Sequence, residues 1–190
     1  MAKKFLLILV IPIFFSFSSA RLPGIFGIKL TTLSNESFAL SKLSLNKWSV
    51  LVLLLPDCPA CESYSSTIIA LQKKYKSSGI EFYGVFPGTF NTKEEMLTFQ
   101  KTYKIDFPLL TDPENILVKS LDAKIVPSAF LINSNGETLY KGRIDDWMYA
   151  LGKKRAVITK HELDDALQAV STGKSIRVKE TQAIGCILEY

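Results

Sequence analysis

The chain alternates between short, densely apolar runs and longer stretches with helical spacing. Val50 to Leu55 are six consecutive large apolar residues closed by Pro56, the mark of a strand buried on both faces. Directly behind it, Cys61, Tyr64, Ile68, Leu71 and Tyr75 recur at intervals of three and four, which is one face of a helix. This predicts a strand over 49–55 and a helix from 59 to about 76, stopping near Ser77-Ser78-Gly79. Ile80 to Phe86 is rich in aromatic and β-branched residues and predicts a second strand. Strand, helix and strand in this order make a parallel, right-handed βαβ unit.

The pattern continues to the C-terminus. Thr92 with Glu95 forms a capping-box signature, and Met96, Phe99 and Tyr103 line one helix face. Asp112-Pro113 reads as an N-cap with proline at the first helical position, opening a helix through Leu121. Ser128 to Ile132 is a strand. Asn133-Ser134-Asn135-Gly136 is its turn, and Glu137 to Lys141 the hairpin partner. Thr159 with Glu162 is a second capping-box signature, heading a helix with Leu163, Ala166, Leu167 and Val170 on one face and Gly173 at its end. Residues 21–36 read as a lead-in, Phe38 to Leu45 as a weak edge strand, and 174–190 as a strand or extended arm; 142–158 have no clear pattern.

The N-terminus changes the picture. Lys3 and Lys4 precede an apolar stretch from Phe5 to Phe17, too short to favour a membrane span, and Ser18-Ser19-Ala20 fits a cleavage site. This predicts a signal peptide over 1–20 and one domain over 21–190, exported to the periplasm or another extracytoplasmic space, with no stable span after cleavage; an uncleaved anchor is the alternative. Loss of Lys3 and Lys4 takes the formal charge from +5 to +3. Apart from Lys153-Lys154-Arg155 the cations are dispersed, so no nucleic-acid footprint is present.

The candidate chemistry lies where the first buried strand meets its helix, at Cys58-Pro59-Ala60-Cys61. Pro59 suits the first helical position. Cys58 then stands at the helix N-terminus, where free amides and the helix dipole favour a thiolate; a cysteine pKa of ~8.5 falls to roughly 3.5–7.5 in such places. Cys61, one turn on, is close enough for a disulfide. Glu62 is a candidate for proton transfer or a plain complement to the dipole. Asp145 and Asp146 are a possible acid–base pair, although a loop ion pair or a solvated turn is the simpler reading. Trp147, Met148, Tyr149 and Leu151 form an apolar cluster, read as core packing or a docking patch.

Cys58-Pro59-Ala60-Cys61, together with Ile125-Val126-Pro127 before the strand Ser128 to Ile132, resembles the thioredoxin fold. Phe107-Pro108-Leu109-Leu110-Thr111-Asp112, Val126 to Ile132, Asn135-Gly136, Tyr140 to Asp146 and the tail Thr181 to Ile187 with Gly185-Cys186 resemble one branch more closely: exported redoxin-domain proteins of the alkyl hydroperoxide reductase/thiol-specific antioxidant superfamily and the thiol–disulfide oxidoreductases near it. The resemblance implies a thioredoxin-like α/β fold, a central mixed sheet flanked by helices with an insertion before the cis-proline strand. It implies a cis bond at Val126-Pro127 beside the cysteines. It implies disulfide exchange with cysteine-containing protein substrates and a redox partner protein, without cofactor or metal, in which an exposed Cys58 attacks and a more buried Cys61 resolves. The chain departs from the family at three places. Asp57 stands where thioredoxins carry Trp, Val52 where they carry a buried Asp, and Leu55 where peroxiredoxins place the Thr before their peroxidatic cysteine.

Two rival functions stay open on the sequence. One is a zinc or copper module, with Cys58, Cys61, Cys186 and His161 as a Cys3His set; copper-delivery redoxins use a wider cysteine spacing and a downstream histidine, and His161 instead reads as a solvent-facing residue of a helix first turn. The other is a weak thiol peroxidase. Cys186 has three readings of its own: a buried apolar tail residue, an intermolecular disulfide, or a third redox cysteine that returns to Cys58.

Overall fold

The computed structural model describes residues 24–190, so the predicted signal peptide lies outside the described residues. In chain order the elements are β1 (Lys29–Thr32), β2 (Ser37–Ala39), β3 (Trp48–Leu53), α1 (Pro59–Tyr75), β4 (Ile80–Pro87), α2 (Lys93–Tyr103), β5 (Leu109–Asp112), α3 (Ile116–Ser120), β6 (Ile125–Val126), β7 (Ser128–Asn133), β8 (Thr138–Gly142), β9 (Met148–Ala150), β10 (Lys153–Lys154), α4 (Glu162–Ser171) and β11 (Cys186–Ile187), with short 3-10 turns between some of them. Seven strands form one mixed sheet in the order β2-β1-β5-β4-β3-β7-β8. β3, β4 and β5 run parallel, and β7, β8, β1 and β2 add antiparallel on either side.

β3 lies between β4 and β7, covered on both faces, which is why its sequence is an unbroken apolar run: Val50 to Leu54 are at most 1% exposed. α1 starts at Pro59 and buries Cys61, Tyr64, Ser65, Ile68, Leu71, Gln72 and Tyr75 along one stripe. It ends in a 3-10 turn at Lys76–Ser78, and Gly79 takes the left-handed conformation that closes a helix. α2 has the expected capping box: Glu95 N donates to Thr92 Oγ1 (3.3 Å) and Thr92 N to Glu95 Oε2 (2.7 Å). α4 packs against α1 and the β7–β8 hairpin, and Asp164 ties it to α1 by accepting from Lys74 Nζ (2.7 Å) and Tyr75 Oη (2.6 Å).

Four local expectations are corrected. The lead-in contains β1, a strand that pairs with β2 on one side and β5 on the other, because Leu30 finds a place in the core. Phe38 to Leu45 is a strand only as far as Ala39; Leu40–Leu45 coils into a 3-10 helix that buries Leu40 and Leu43 on one side. Asp112 is an acceptor at the helix start, but at longer range than an N-cap. α3 begins only at Ile116, and the buried Asp112 carboxylate reaches forward to take Ile116 N (2.9 Å) and Val118 N (3.0 Å). Thr159 and Glu162 make no capping box. The Thr159 hydroxyl donates to Asp146 Oδ2 (2.5 Å), and Glu162 pairs with Arg143 instead of turning back on its own helix.

Candidate active site

The site forms where the carboxyl end of β3 hands over to α1. The chain turns through Leu55-Pro56-Asp57, Cys58 N donates to Leu55 O (3.3 Å), and Cys58 becomes the N-cap residue of α1 with Pro59 at its first turn. No side chain caps this helix, so its free amides are left to the cysteines and to whatever binds there. Cys61, a turn further, faces inward. It is fully buried, and its Sγ accepts from Leu55 N at 3.3 Å. Burial pushes the Cys61 thiol up to about 12; Asp57 and Glu62 add to the rise, and the Leu55 amide opposes it.

On the far side stands the Val126-Pro127 bond, which is cis. The Val126 carbonyl oxygen lies 3.6 Å from Cys58 Sγ. β6 ends at Val126, and its edge takes a further strand. The tail supplies one. β11 pairs antiparallel with β6, Cys186 opposite Val126 and Ile187 opposite Ile125, and Leu188 N donates to Lys124 O (2.8 Å). This register places Cys186 against Cys58, and the two form a disulfide across 128 residues of chain.

The structure therefore settles one open pairing of Cys186 and corrects one expectation, the exposure of Cys58. Cys58 is linked to Cys186, and Cys61 is the free, buried thiol. Cys58 is not exposed either: the docked tail leaves it 1% accessible. Of the three readings of Cys186, the structure has the one in which the tail returns to Cys58. Sequence reasoning lacked the signal that decides this, which is the pairing of two-residue strands remote in sequence. Gly185 is the local clue. A Cβ there would collide with the Val126 carbonyl oxygen, so only glycine lets the tail pass this close to the proline loop.

Both ends of the tail are fastened. Upstream, Lys141 N donates to Lys179 O (2.9 Å) and Thr181 N to Lys141 O (3.0 Å), while Thr181 Oγ1 meets Tyr140 Oη at 2.8 Å and accepts from Arg143 N (3.0 Å). Downstream, the Tyr190 hydroxyl donates to Ala123 O (2.9 Å). Beside the disulfide, Leu55, Pro87, Phe90, Ile187 and Leu188 line a recess of about 210 Å³, and Phe90 and Ile187 are each 73% exposed.

The other candidates are placed as follows. Glu62 lines a groove between α1 and α2 beside Tyr103, whose phenol is pushed up by burial and by that carboxylate. Asp145 and Asp146 are not a solvated turn. Both are buried: Asp145 Oδ1 accepts from Tyr64 Oη (2.8 Å) and Trp147 N (2.9 Å). Asp146 Oδ1 accepts from Thr159 N (2.8 Å) and Lys160 N (3.0 Å), and the Thr159 hydroxyl and these amides hold its carboxyl well below the usual range. They brace the 145–160 loop against α1 and line no part of the cysteine site. Met148 is core, Trp147 packs edge-on against Tyr64, and Tyr149 and Leu151 are exposed. His161 is an exposed residue at the start of α4. Among the described residues no group of three or more His, Cys, Asp and Glu is placed to hold a metal ion. No helix among them is long and apolar enough to cross a membrane.

The AhpC/TSA family model matches residues 25–141, more than half of the chain, from before β1 into the β7–β8 hairpin. The chain belongs to the AhpC/TSA family. It is similar to the thiol–disulfide oxidoreductase ResA of Bacillus subtilis, at 28% identity over 98 residues, which is 48% of this chain and 54% of ResA. The chain thus spans about half the length of the curated relative it matches. The solved structures it resembles include a hypothetical protein of Sinorhizobium meliloti (TM-score 0.75, 22% identity, 86% of this chain and 90% of that one). They also include a secreted disulfide oxidoreductase of Mycobacterium tuberculosis, homologous to DsbE of E. coli (TM-score 0.58, 18% identity, 76% and 96%). At these identities the structural likeness speaks for the thioredoxin-like fold.

Proposed function

We propose that this AhpC/TSA-family protein is an exported thiol–disulfide oxidoreductase that exchanges disulfides with cysteine-containing proteins through Cys58. The observation that carries the reading is the position of Cys58, at the uncapped N-terminus of α1 and 3.6 Å from the Val126 carbonyl, beside the β6 edge on which the tail lies. The helix amides favour the Cys58 thiolate over the thiol. The β6 edge receives an extended segment and aligns its cysteine with Cys58, as it does for residues 186–188. The thiolate attacks one sulfur of a substrate disulfide, the other sulfur leaves as a thiolate, and a second thiol of this site completes the exchange. The signal-peptide pattern over 1–20 and the similarity to ResA support export and the reaction class. An oxidising compartment is also where a disulfide such as Cys58–Cys186 persists.

The test is turnover of a protein disulfide by purified protein. Cys58→Ser is expected to abolish it. Normal turnover by Cys58→Ser would remove the assignment.

A further inference from the structure

The site holds three thiols and therefore two possible partners for Cys58. They differ in placement. Cys61 Sγ points inward to the Leu55 amide beneath α1 and is fully buried. Cys186 lies on a half-exposed strand whose register, fixed opposite Val126, sets it on Cys58. The tail around it carries features with no other evident use: a glycine at the one point where a side chain would strike Val126, a clamp upstream at Thr181 and another downstream at Tyr190. Two of its residues are strand-paired to β6.

We propose that Cys186 is the resolving thiol of this site: it, and not Cys61, displaces the substrate from Cys58 and completes the exchange. This rests on Cys58 being the nucleophile. The Cys58 thiolate first displaces one thiolate from the substrate disulfide, giving a Cys58–substrate mixed disulfide while the tail is aside. The tail then re-docks. The Cys186 thiolate attacks Cys58 Sγ, the bond from Cys58 to the substrate breaks, and the substrate's second sulfur leaves as a thiolate that takes a proton from water. Cys58 and Cys186 are oxidised to one disulfide, and one substrate disulfide is reduced to two thiols. Cys61 enters by a later internal exchange, in which its sulfur replaces Cys186 on Cys58 and Cys186 takes up the proton that Cys61 gives to solvent.

Acid–base chemistry agrees with the geometry. Burial pushes the Cys61 thiol up, so the buried Cys61 is far less thiolate at pH 7 than an ordinary exposed thiol. An ordinary exposed thiol, at ~8.5, is thiolate to a few per cent, and the thiolate is the attacking form.

The experiment uses reduced protein and the aromatic disulfide dithiobis(nitrobenzoate), which releases one coloured thiolate on attack by the protein and a second on resolution. In stopped flow at pH 7, Cys186→Ser is expected to slow the second release by about tenfold or more, and Cys61→Ser by less than about threefold. Gly185→Ala, which keeps all three thiols but disturbs the docked tail, is expected to slow the second release as well. Acid-quenched peptide mapping of the wild type is expected to find Cys58–Cys186 before Cys58–Cys61. A second release slowed by Cys61→Ser and untouched by Cys186→Ser and Gly185→Ala, with Cys58–Cys61 formed first, would overturn the proposal while leaving Cys58 as nucleophile. A first release equally fast in Cys58→Ser would overturn the reading on which it rests.

Discussion

Gly185 decides how firmly the tail sits on Cys58. A Cβ at this position would collide with the Val126 carbonyl oxygen and lie 2.8 Å from its carbon and 3.2 Å from Pro127 Cδ. These are backbone and proline-ring atoms at the junction of β6 and β7, so the tail must give way. Close to Cys186 the tail is held by the Cys186 and Ile187 pairing with β6 and the Leu188 N to Lys124 O bond of 2.8 Å. Such bonds are worth about 1 kcal/mol each, so this local part of the docking amounts to a few kcal/mol. A forced overlap costs about 1–3 kcal/mol. Gly185→Ala should therefore lower the effective concentration of Cys186 at Cys58 by about five- to 150-fold, since 1.4 kcal/mol is about tenfold. The assay equilibrates Cys61→Ser and Cys61→Ser/Gly185→Ala in graded mixtures of reduced and oxidised glutathione and measures the Cys58–Cys186 fraction by alkylation and mass spectrometry. The midpoint of the double variant should move to more oxidising mixtures by that factor. Equal midpoints would show that the Cys58–Cys186 bond does not depend on strand docking, and the reasoning from Val126 would fail.

Three further outcomes are expected. Asp112→Ala leaves the amides of Ile116 and Val118 without their acceptor, and should cost about 2–3 kcal/mol in urea unfolding; a cost below about 0.5 kcal/mol would mean that the buried carboxylate contributes nothing net. Arg143→Met strands the buried Glu162 carboxylate and should destabilise by about 3–5 kcal/mol, whereas Arg143→Met/Glu162→Met should recover most of that loss, which a double-mutant cycle reads directly. Because burial raises the Cys61 thiol from 9.0 to about 12, the fold favours its neutral form. That contribution is whole below about pH 9 and is lost as pH climbs from there toward about 12. Native Cys61 should react with iodoacetamide at pH 8 about a thousandfold more slowly than an unfolded control, a gap that closes with rising pH; labelling at the unfolded rate would contradict the burial.

The local devices were legible in the sequence because neighbouring residues make them. The run Val50 to Leu55 announced a strand covered on both faces, Pro59 placed the start of α1, and Thr92 with Glu95 marked the cap of α2. Cys58-Pro59-Ala60-Cys61 between strand and helix located the site to within a turn. Where two local signals looked alike, only folding separated them. Thr159 and Glu162 have capping-box spacing, as Thr92 and Glu95 do, but the nearby Asp146 takes the Thr159 hydroxyl and Arg143 takes the Glu162 carboxylate. Partners brought up by the 143–160 loop thus outcompete the helix's own backbone.

The tertiary structure alone decided which thiol faces which. Spacing makes Cys58 and Cys61 neighbours, yet α1 turns Cys61 into the core toward Leu55, and the handedness of the helix leaves Cys58 at the opening. Cys186, 128 residues away, arrives there because β6 offers an edge that the tail pairs with and the tail carries a glycine where it must cross that edge. A two-residue strand has no sequence period to detect; its pairing is set by the free backbone groups of a partner that only the assembled sheet presents.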